Sequence, residues 1–204
     1  MQTIALIGAT AIAEQIASAA LRANLRVIID DVSDSRLQAI SANLNSISSQ
    51  NDSDVRAQHC CAPGPQDQSD SPPTGLSSLS AANTPIPNLL LTQSIDHAIR
   101  SADFLIDTLP DDLEVKLELF TLFDKFAKPN AIFITTGSIP IDDLAAITFC
   151  PDRCLAVRLT AASNAPASND PAPTFHLVPA RQTSPSTLAK CTTLFLHSFA
   201  FPPK

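Results

Sequence analysis

The 204-residue sequence contains no apolar run near the roughly 18 residues that a membrane-spanning helix needs, so no membrane partner is expected. Positive charge is not in excess: 13 Lys and Arg stand against 20 Asp and Glu, giving a net charge of −7. That balance argues against nucleic acid, whose phosphates call for clustered cations. The amino terminus has no basic start of a signal-peptide kind, since Met1-Gln2-Thr3 leads at once into an apolar run. A cytoplasmic setting is therefore expected. Cysteine is present without a metal-binding pattern. Cys60 and Cys61 lie in a polar stretch, Cys150 and Cys154 flank Pro151-Asp152-Arg153, and no second close pair with His sits at a suitable spacing. Free thiols and no metal are expected. Glycine is scarce too. Only Gly8, Gly64, Gly75 and Gly137 occur, whereas a phosphate-cradling loop normally uses several.

What is present suits one globular core, alone or with a small appendage: 45% of residues are apolar and 16% charged. Thr3 to Ile7 is a nearly continuous apolar run, as expected of a strand buried on both faces. Gly8 ends it. Ile12, Ile16, Ala20 and Ala23 then recur at helical spacing, and Arg26 to Ile29 reads as a second strand closing at Asp30-Asp31. This is a βαβ unit, whose crossover is right-handed by rule. A further helix is expected over Arg36 to about Ser48, with Leu37, Ile40, Leu44 and Ile47 on one stripe. From Ser49 to Pro87 the chain is rich in Ser, Asp, Gln and Pro and nearly devoid of bulky apolar residues. Such a stretch cannot bury enough surface to offset its ordering entropy. It is read as a flexible surface excursion within a single domain spanning 1–204, because strand-helix alternation resumes beyond it. Strands are expected at Leu89 to Leu91, Phe104 to Thr108, Ala131 to Thr135, Leu155 to Leu159 and Phe175 to Val178. Helices are expected at Ile95 to Arg100, Leu113 to Phe126, Asp142 to Ile147 and Ser184 to about Ser198. The fold class is α/β: a doubly wound, mostly parallel sheet with helices on both faces.

The first strand-helix turn, Gly8-Ala9-Thr10-Ala11-Ile12-Ala13, has the outline of the G-x-G-x-x-G loop that sets a pyrophosphate on a helix N-terminus. Only the first glycine is kept. Ala13 still permits close helix-strand packing, but Thr10 puts a β-branched side chain where backbone should approach the pyrophosphate. Asp31, ending the second strand, is placed to take a ribose 2′-hydroxyl, which favours NAD over NADP. A turn or helix-cap role is the structural alternative for the same residue. The candidate dinucleotide site is thus Gly8, Thr10, Ile12, Ala13 and Asp31 on a Rossmann-type fold.

Ala102-Asp103-Phe104-Leu105-Ile106-Asp107-Thr108-Leu109-Pro110-Asp111-Asp112-Leu113-Glu114-Val115-Lys116-Leu117-Glu118-Leu119-Phe120 resembles the stretch A-D-x-V-I-E-A-V-x-E-x-L-x-x-K-x-E-L-F of the 3-hydroxyacyl-CoA dehydrogenases. Ala131-Ile132-Phe133-Ile134-Thr135-Thr136-Gly137-Ser138 is similar to that family's strand ending S-N-T-S-S, and Pro151-Asp152-Arg153 to the x-[ED]-R before its catalytic strand. With Ile4 to Leu37 and the helix start at Thr183-Ser184, the resemblance covers the chain apart from its Pro/Ser-rich loops. It implies a Rossmann domain holding NAD. The family's cofactor-contacting Glu and Lys fall on Asp111 and Lys116, for which a solvated helix start is the structural alternative. Its Asn and Ser after the next strand, which hold nicotinamide and the substrate's 3-oxygen, fall on Thr136 and Ser138.

The resemblance also implies what is missing. The family removes a proton from a 3-hydroxyl with a His paired to a Glu, inside L-H-F-F-N-P, while hydride passes to NAD. Here Val157-Arg158-Leu159-Thr160-Ala161-Ala162 puts Arg158 at the base position, and Arg stays protonated. The partner Glu falls on His176. The helical hairpin that members carry after their second strand is replaced by the Ser49 to Pro87 stretch. The family's following helical domain, which completes the acyl-CoA site and often the dimer, is expected to be lacking after Lys204. The leading expectation is an NAD-binding domain protein whose catalysis has degenerated at Ser138, Arg158 and His176. An active NAD-dependent oxidoreductase using His176 and Arg158 on an altered hydroxy-acyl or hydroxy-acid substrate is one alternative. A non-catalytic protein-interaction module is another. Expected partners are a dinucleotide, an acyl-CoA-like small molecule and, as in the family, a second copy of the chain. His59, His97 and His197 are read as surface residues.

Overall fold

The computed structural model describes residues 1–56, 86–160 and 174–199. Strand β1 (Thr3–Ile7) is buried at every position, because helices cover both faces of the sheet. Helix α1 (Ala11–Arg22) starts on the Thr10 hydroxyl and ends as Asn24 turns the chain at φ +57°. There follow β2 (Arg26–Asp30), α2 (Asp34–Arg56), β3 (Leu89–Thr92), α3 (Ile95–Ser101) and β4 (Phe104–Asp107). The chain continues through α4 (Leu113–Phe126), β5 (Ile132–Thr135), α5 (Ile141–Ala145), a single 3-10 turn at Pro151–Arg153, β6 (Cys154–Thr160), β7 (Thr174–Pro179) and α6 (Pro185–Phe199).

The seven strands lie in the order β3-β2-β1-β4-β5-β6-β7. All neighbours are parallel except β6 and β7, which pair antiparallel and place the last strand at the edge. Strands β2 and β3 extend the sheet to one side of β1, and β4 to β7 extend it to the other. The order therefore reverses between β1 and β4, the switch point where open α/β sheets bind ligands outside their carboxyl ends. Alternation along the strands divides the core in two. Ile4, Leu6, Ile29, Ile106, Ile134 and Val157 pack under α1, α2 and α6. Ala5, Ile7, Ile28, Leu105, Phe133 and Ala156 pack under α3, α4 and α5, where Phe120, Phe123 and Phe133 meet with ring centroids 5.5–6.3 Å apart.

The doubly wound, mostly parallel sheet expected from the sequence is the fold found. Most element boundaries shift by a residue or two, as α5 does in ending at Ala145, and two of the differences have a clear physical cause. Helix α2 runs on to Arg56, into the stretch expected as an irregular excursion, because no Gly or Pro interrupts Ser49 to Arg56. Residues 57–85, the body of that excursion with His59, Cys60 and Cys61, lie outside the described residues. Strand β4 stops at Asp107, since Thr108 turns back to bond the β1 loop. His97 is exposed on α3, while the side chain of His197 lies outside the described residues. Cys150, Cys154 and Cys191 are free and buried, and burial pushes their thiols up to between about 11 and about 12. Among the described residues no helix is long and apolar enough to cross a membrane.

Candidate functional site

At the switch point the chain leaves β1 through Gly8, whose φ of +104° is closed to most L-residues. A Cβ there would fall 2.9 Å from Leu109 Cδ2 and 3.2 Å from Thr108 Oγ1. Gly8 is thus required by its own backbone and by the close approach of the loop after β4. The Thr108 hydroxyl lies within donating distance of the carbonyls of Ile7 (2.9 Å) and Gly8 (2.7 Å), tying the two loops together.

Thr10 is the N-cap of α1: its Oγ1 accepts from Ala13 N–H at 3.2 Å. The β-branched residue that departs from the glycine pattern therefore takes one of the free helix-end donors for itself. Ala11 and Ile12 N–H, in the first turn, have no carbonyl within the helix to bond, so they stay available to an anion. Ile12 is partly buried, and Ala13 is fully buried against the sheet. Asp31, also buried, accepts from Ala9 N–H (2.8 Å) and Ser33 N–H (2.8 Å) and pairs with Arg36 (3.2 Å). It clamps the first loop to the second. The turn role given as the structural alternative for Asp31 is the one these bonds show. Asp30 faces the other side of the sheet. It is buried, its Oδ1 meets no partner among the described residues, and burial, then the neighbouring Asp31 charge, pushes its carboxyl up to about 6.

The second half of the site rests on a buried ion pair. Lys116 and Asp107 are both 0% exposed, with Nζ 2.6 Å from Asp107 Oδ2. Lys116 also donates to the Leu109 carbonyl at 3.0 Å, and lies 3.9 Å from Asp111. Asp107 is fully engaged: Oδ1 accepts from Leu109 N–H at 2.9 Å, and Oδ2 accepts from the Thr135 hydroxyl at 2.9 Å. Lys116 thus lies in the floor beneath the loop after β4 rather than on a solvated helix start. Above it, Asp111 accepts from Ser138 through both the backbone N–H (2.8 and 3.0 Å) and the hydroxyl. These bonds hold the Asp111 carboxyl below its usual range. A Cβ on Gly137 would stand 1.8 Å from Asp111 Oδ1, so glycine is what lets the two loops meet. Thr136 is buried and donates its hydroxyl to the Asp107 carbonyl at 3.0 Å.

Arg158 and His176 are direct cross-strand partners on β6 and β7. Arg158 is partly buried, with Nη2 donating to the Ile139 carbonyl at 3.3 Å and Nη1 buried without an acceptor among the described residues. His176 is exposed. Arg158 bonds the Ile139 carbonyl and its charge reaches Asp111, so Asp111, Ser138 and Arg158 gather past the carboxyl ends of β4, β5 and β6 on the α4–α5 side, with His176 beside Arg158 on the edge strand β7. Gly8, Thr10, Ile12, Ala13 and Asp31 form a second group around the β1 loop, and Lys116 joins the two through the loop after β4. Sequence reasoning missed Asp107 and Thr108 as parts of this machinery. The signal was a carboxylate and a hydroxyl ending an otherwise apolar strand, where a buried charge demands a partner.

A positive-φ glycine at the switch point, a helix end beside it and an acidic residue closing β2 are features of a dinucleotide-binding domain. The family described as "3-hydroxyacyl-CoA dehydrogenase, NAD binding domain" matches residues 3–198, and the chain belongs to it. NAD is the cofactor of that domain. A probable 3-hydroxybutyryl-CoA dehydrogenase of Bacillus subtilis is 30% identical over 71 residues, which are 34% of this chain and 24% of that protein. An L-carnitine dehydrogenase of a Pseudomonas species is 33% identical over 69 residues, 33% of this chain and 21% of its own length. In fold, the chain is similar to (S)-3-hydroxybutyryl-CoA dehydrogenase of Ralstonia eutropha, with a TM-score of 0.69 and 21% identity over 99% of this chain. It is also similar to prephenate dehydrogenase of A. aeolicus, with a TM-score of 0.59 at 13% identity over 97% of this chain. The chain spans 62% of the Ralstonia structure and 57% of the prephenate dehydrogenase.

Proposed function

We propose that the chain is a single NAD-holding domain in which the alcohol-oxidising chemistry of the family has lost its general base. The observation that carries this reading is Arg158, which stands where the resemblance puts the catalytic His. A guanidinium cannot accept a proton at any working pH. The dinucleotide half supports retention of NAD. Gly8 keeps the positive-φ turn, Ala11 and Ile12 N–H in the first turn of α1 have no carbonyl within the helix to bond, and Asp31 follows β2, where an acid for the ribose is expected. When bound, NAD supplies a hydride acceptor. Asp111 and Ser138 position the loops beside it, while Lys116 stiffens the floor.

A second reading is favoured by one feature. His176 is exposed directly opposite Arg158, so an active oxidoreductase could draw its base from β7 and act on a different hydroxy-acyl or hydroxy-acid substrate. Two measurements separate the readings. NADH formation is followed with NAD and, in turn, 3-hydroxybutyryl-CoA and sodium 3-hydroxybutyrate, for the wild type, Arg158→His and His176→Ala. The first reading expects no turnover in any of the three beyond background, with NADH still bound. Turnover in the wild type that His176→Ala abolishes refutes it in favour of the second. A wild type that neither binds NADH nor turns over points to the protein-interaction role.

A further inference from the structure

We propose that Arg158 anchors a binding site for the carboxylate of a small organic acid at the α4–α5 side of the sheet edge. An Arg side chain stays charged in any protein environment, and a charged nitrogen removed from water without a partner is costly. Nη1 of Arg158 is such a nitrogen. It is buried, and it meets no acceptor among the described residues. Among the described residues Nη2 has the Ile139 carbonyl, at 3.3 Å, a neutral partner, and the Asp111 charge reaches the guanidinium only from beyond ion-pair distance.

The nearby acid does not fill the place. Asp111 is held by the Ser138 N–H and hydroxyl and comes nearest in charge to Lys116, at 3.9 Å. Among the described residues, no carboxylate lies at ion-pair distance from Arg158. The ligand's charge follows from the same neighbours. Ser138 keeps Asp111 ionised, so a dianion such as phosphate would meet repulsion that one guanidinium does not overcome. A monoanion is matched. A carboxylate also fits the planar fork of donors that a guanidinium presents. His176, exposed on the facing strand, offers a second donor to the same ligand. In place of a base for the uncharged 3-hydroxyl end of a thioester, this part of the site holds a fixed cation. The inference deepens the proposed function and rests on it only for placing the acid beside a dinucleotide.

The test is a thermal-shift titration of the full chain with sodium 3-hydroxybutyrate, its neutral amide 3-hydroxybutyramide, sodium phosphate and sodium chloride at matched ionic strength. Each is run with and without NADH. The acid is expected to raise the melting temperature saturably, and the amide and the inorganic salts are not. Arg158→Gln is expected to weaken the acid about tenfold or more, and Arg158→Lys to retain part of the binding. Equal shifts from acid and amide, no shift from the acid, a stronger response to phosphate, or full binding by Arg158→Gln would each overturn the proposal. Should Arg158→Gln not fold, the acid-against-amide difference in the wild type and in Arg158→Lys decides the matter. A shift with the acid but none with NADH leaves this site standing and removes the dinucleotide reading. The reverse result removes only the site.

Discussion

Replacing Lys116 with Met keeps the length of the buried stem and removes its charge, leaving Asp107 ionised in an interior with no countercharge in contact. The wild-type pair is closed to solvent on both sides, with 2.6 Å between Nζ and Oδ2. Removing one member of such a pair costs about 3–5 kcal/mol, because the remaining charge stays desolvated. The Leu109 N–H and the Thr135 hydroxyl, each at 2.9 Å, still bond the carboxylate, which places the expected loss at the lower end, about 3 kcal/mol. That is a large share of the 5–15 kcal/mol that holds a typical domain together. The double variant Asp107→Asn/Lys116→Met removes the charge, while the amide oxygen still accepts from Leu109 N–H and the amide nitrogen donates to the Thr135 hydroxyl, so it should recover a substantial part. Urea unfolding read by far-UV circular dichroism suits a chain with no Trp and no Tyr. With a slope of about 2 kcal/mol/M, the single variant's midpoint should fall by about 1.5 M. A loss below about 1 kcal/mol, or a double variant no more stable than the single, would refute the reasoning that the pair is a mutually dependent buried unit.

Asp30 supplies a pH prediction. Burial, then the neighbouring Asp31 charge, pushes its carboxyl up from an ordinary 3.8 to about 6, so the native state holds the proton more tightly than the unfolded chain. Stability therefore falls as pH rises from 3.8 to 6, and the whole penalty is present above that window. Asp30→Asn should stabilise the chain at pH 7 to 8 by an amount on the order of 2 kcal/mol, with the gain vanishing below pH 4. A pH-independent difference between the two proteins contradicts this. Gly137→Ala would bring a Cβ to 1.8 Å from Asp111 Oδ1 and so drive the carboxylate off Ser138. Asp111 should then titrate higher, toward 3.8, in an NMR pH series, and an unchanged midpoint would show that the loops meet by another route.

The sheet was legible because its strands are short apolar runs ended by Gly8, Asp30-Asp31 and Asp107, and its helices carry their apolar stripes at helical spacing. The end of α2 was not, since polar composition alone does not break a helix when Gly and Pro are absent. Within the site, residue types pointed to positions but not to partners. Thr10 read as an obstruction and is a helix cap. Lys116, whose place on α4 suggested either a cofactor contact or a solvated start, is buried because Asp107, nine residues earlier, reaches it across the loop. Arg158 and His176, 18 residues apart in the chain, were paired by the family resemblance and not by their residue types, and the antiparallel register of β6 and β7 makes them cross-strand neighbours. Such a register is set by the whole sheet.

Isothermal titration of the full chain with NADH tests the central claim most directly. The account predicts saturable one-site binding, weakened about tenfold or more by Asp31→Ala in a protein whose circular dichroism remains that of the wild type. A folded wild type that releases no binding heat up to millimolar NADH would contradict it, and would mean that the Thr10 cap has closed the helix end to the pyrophosphate.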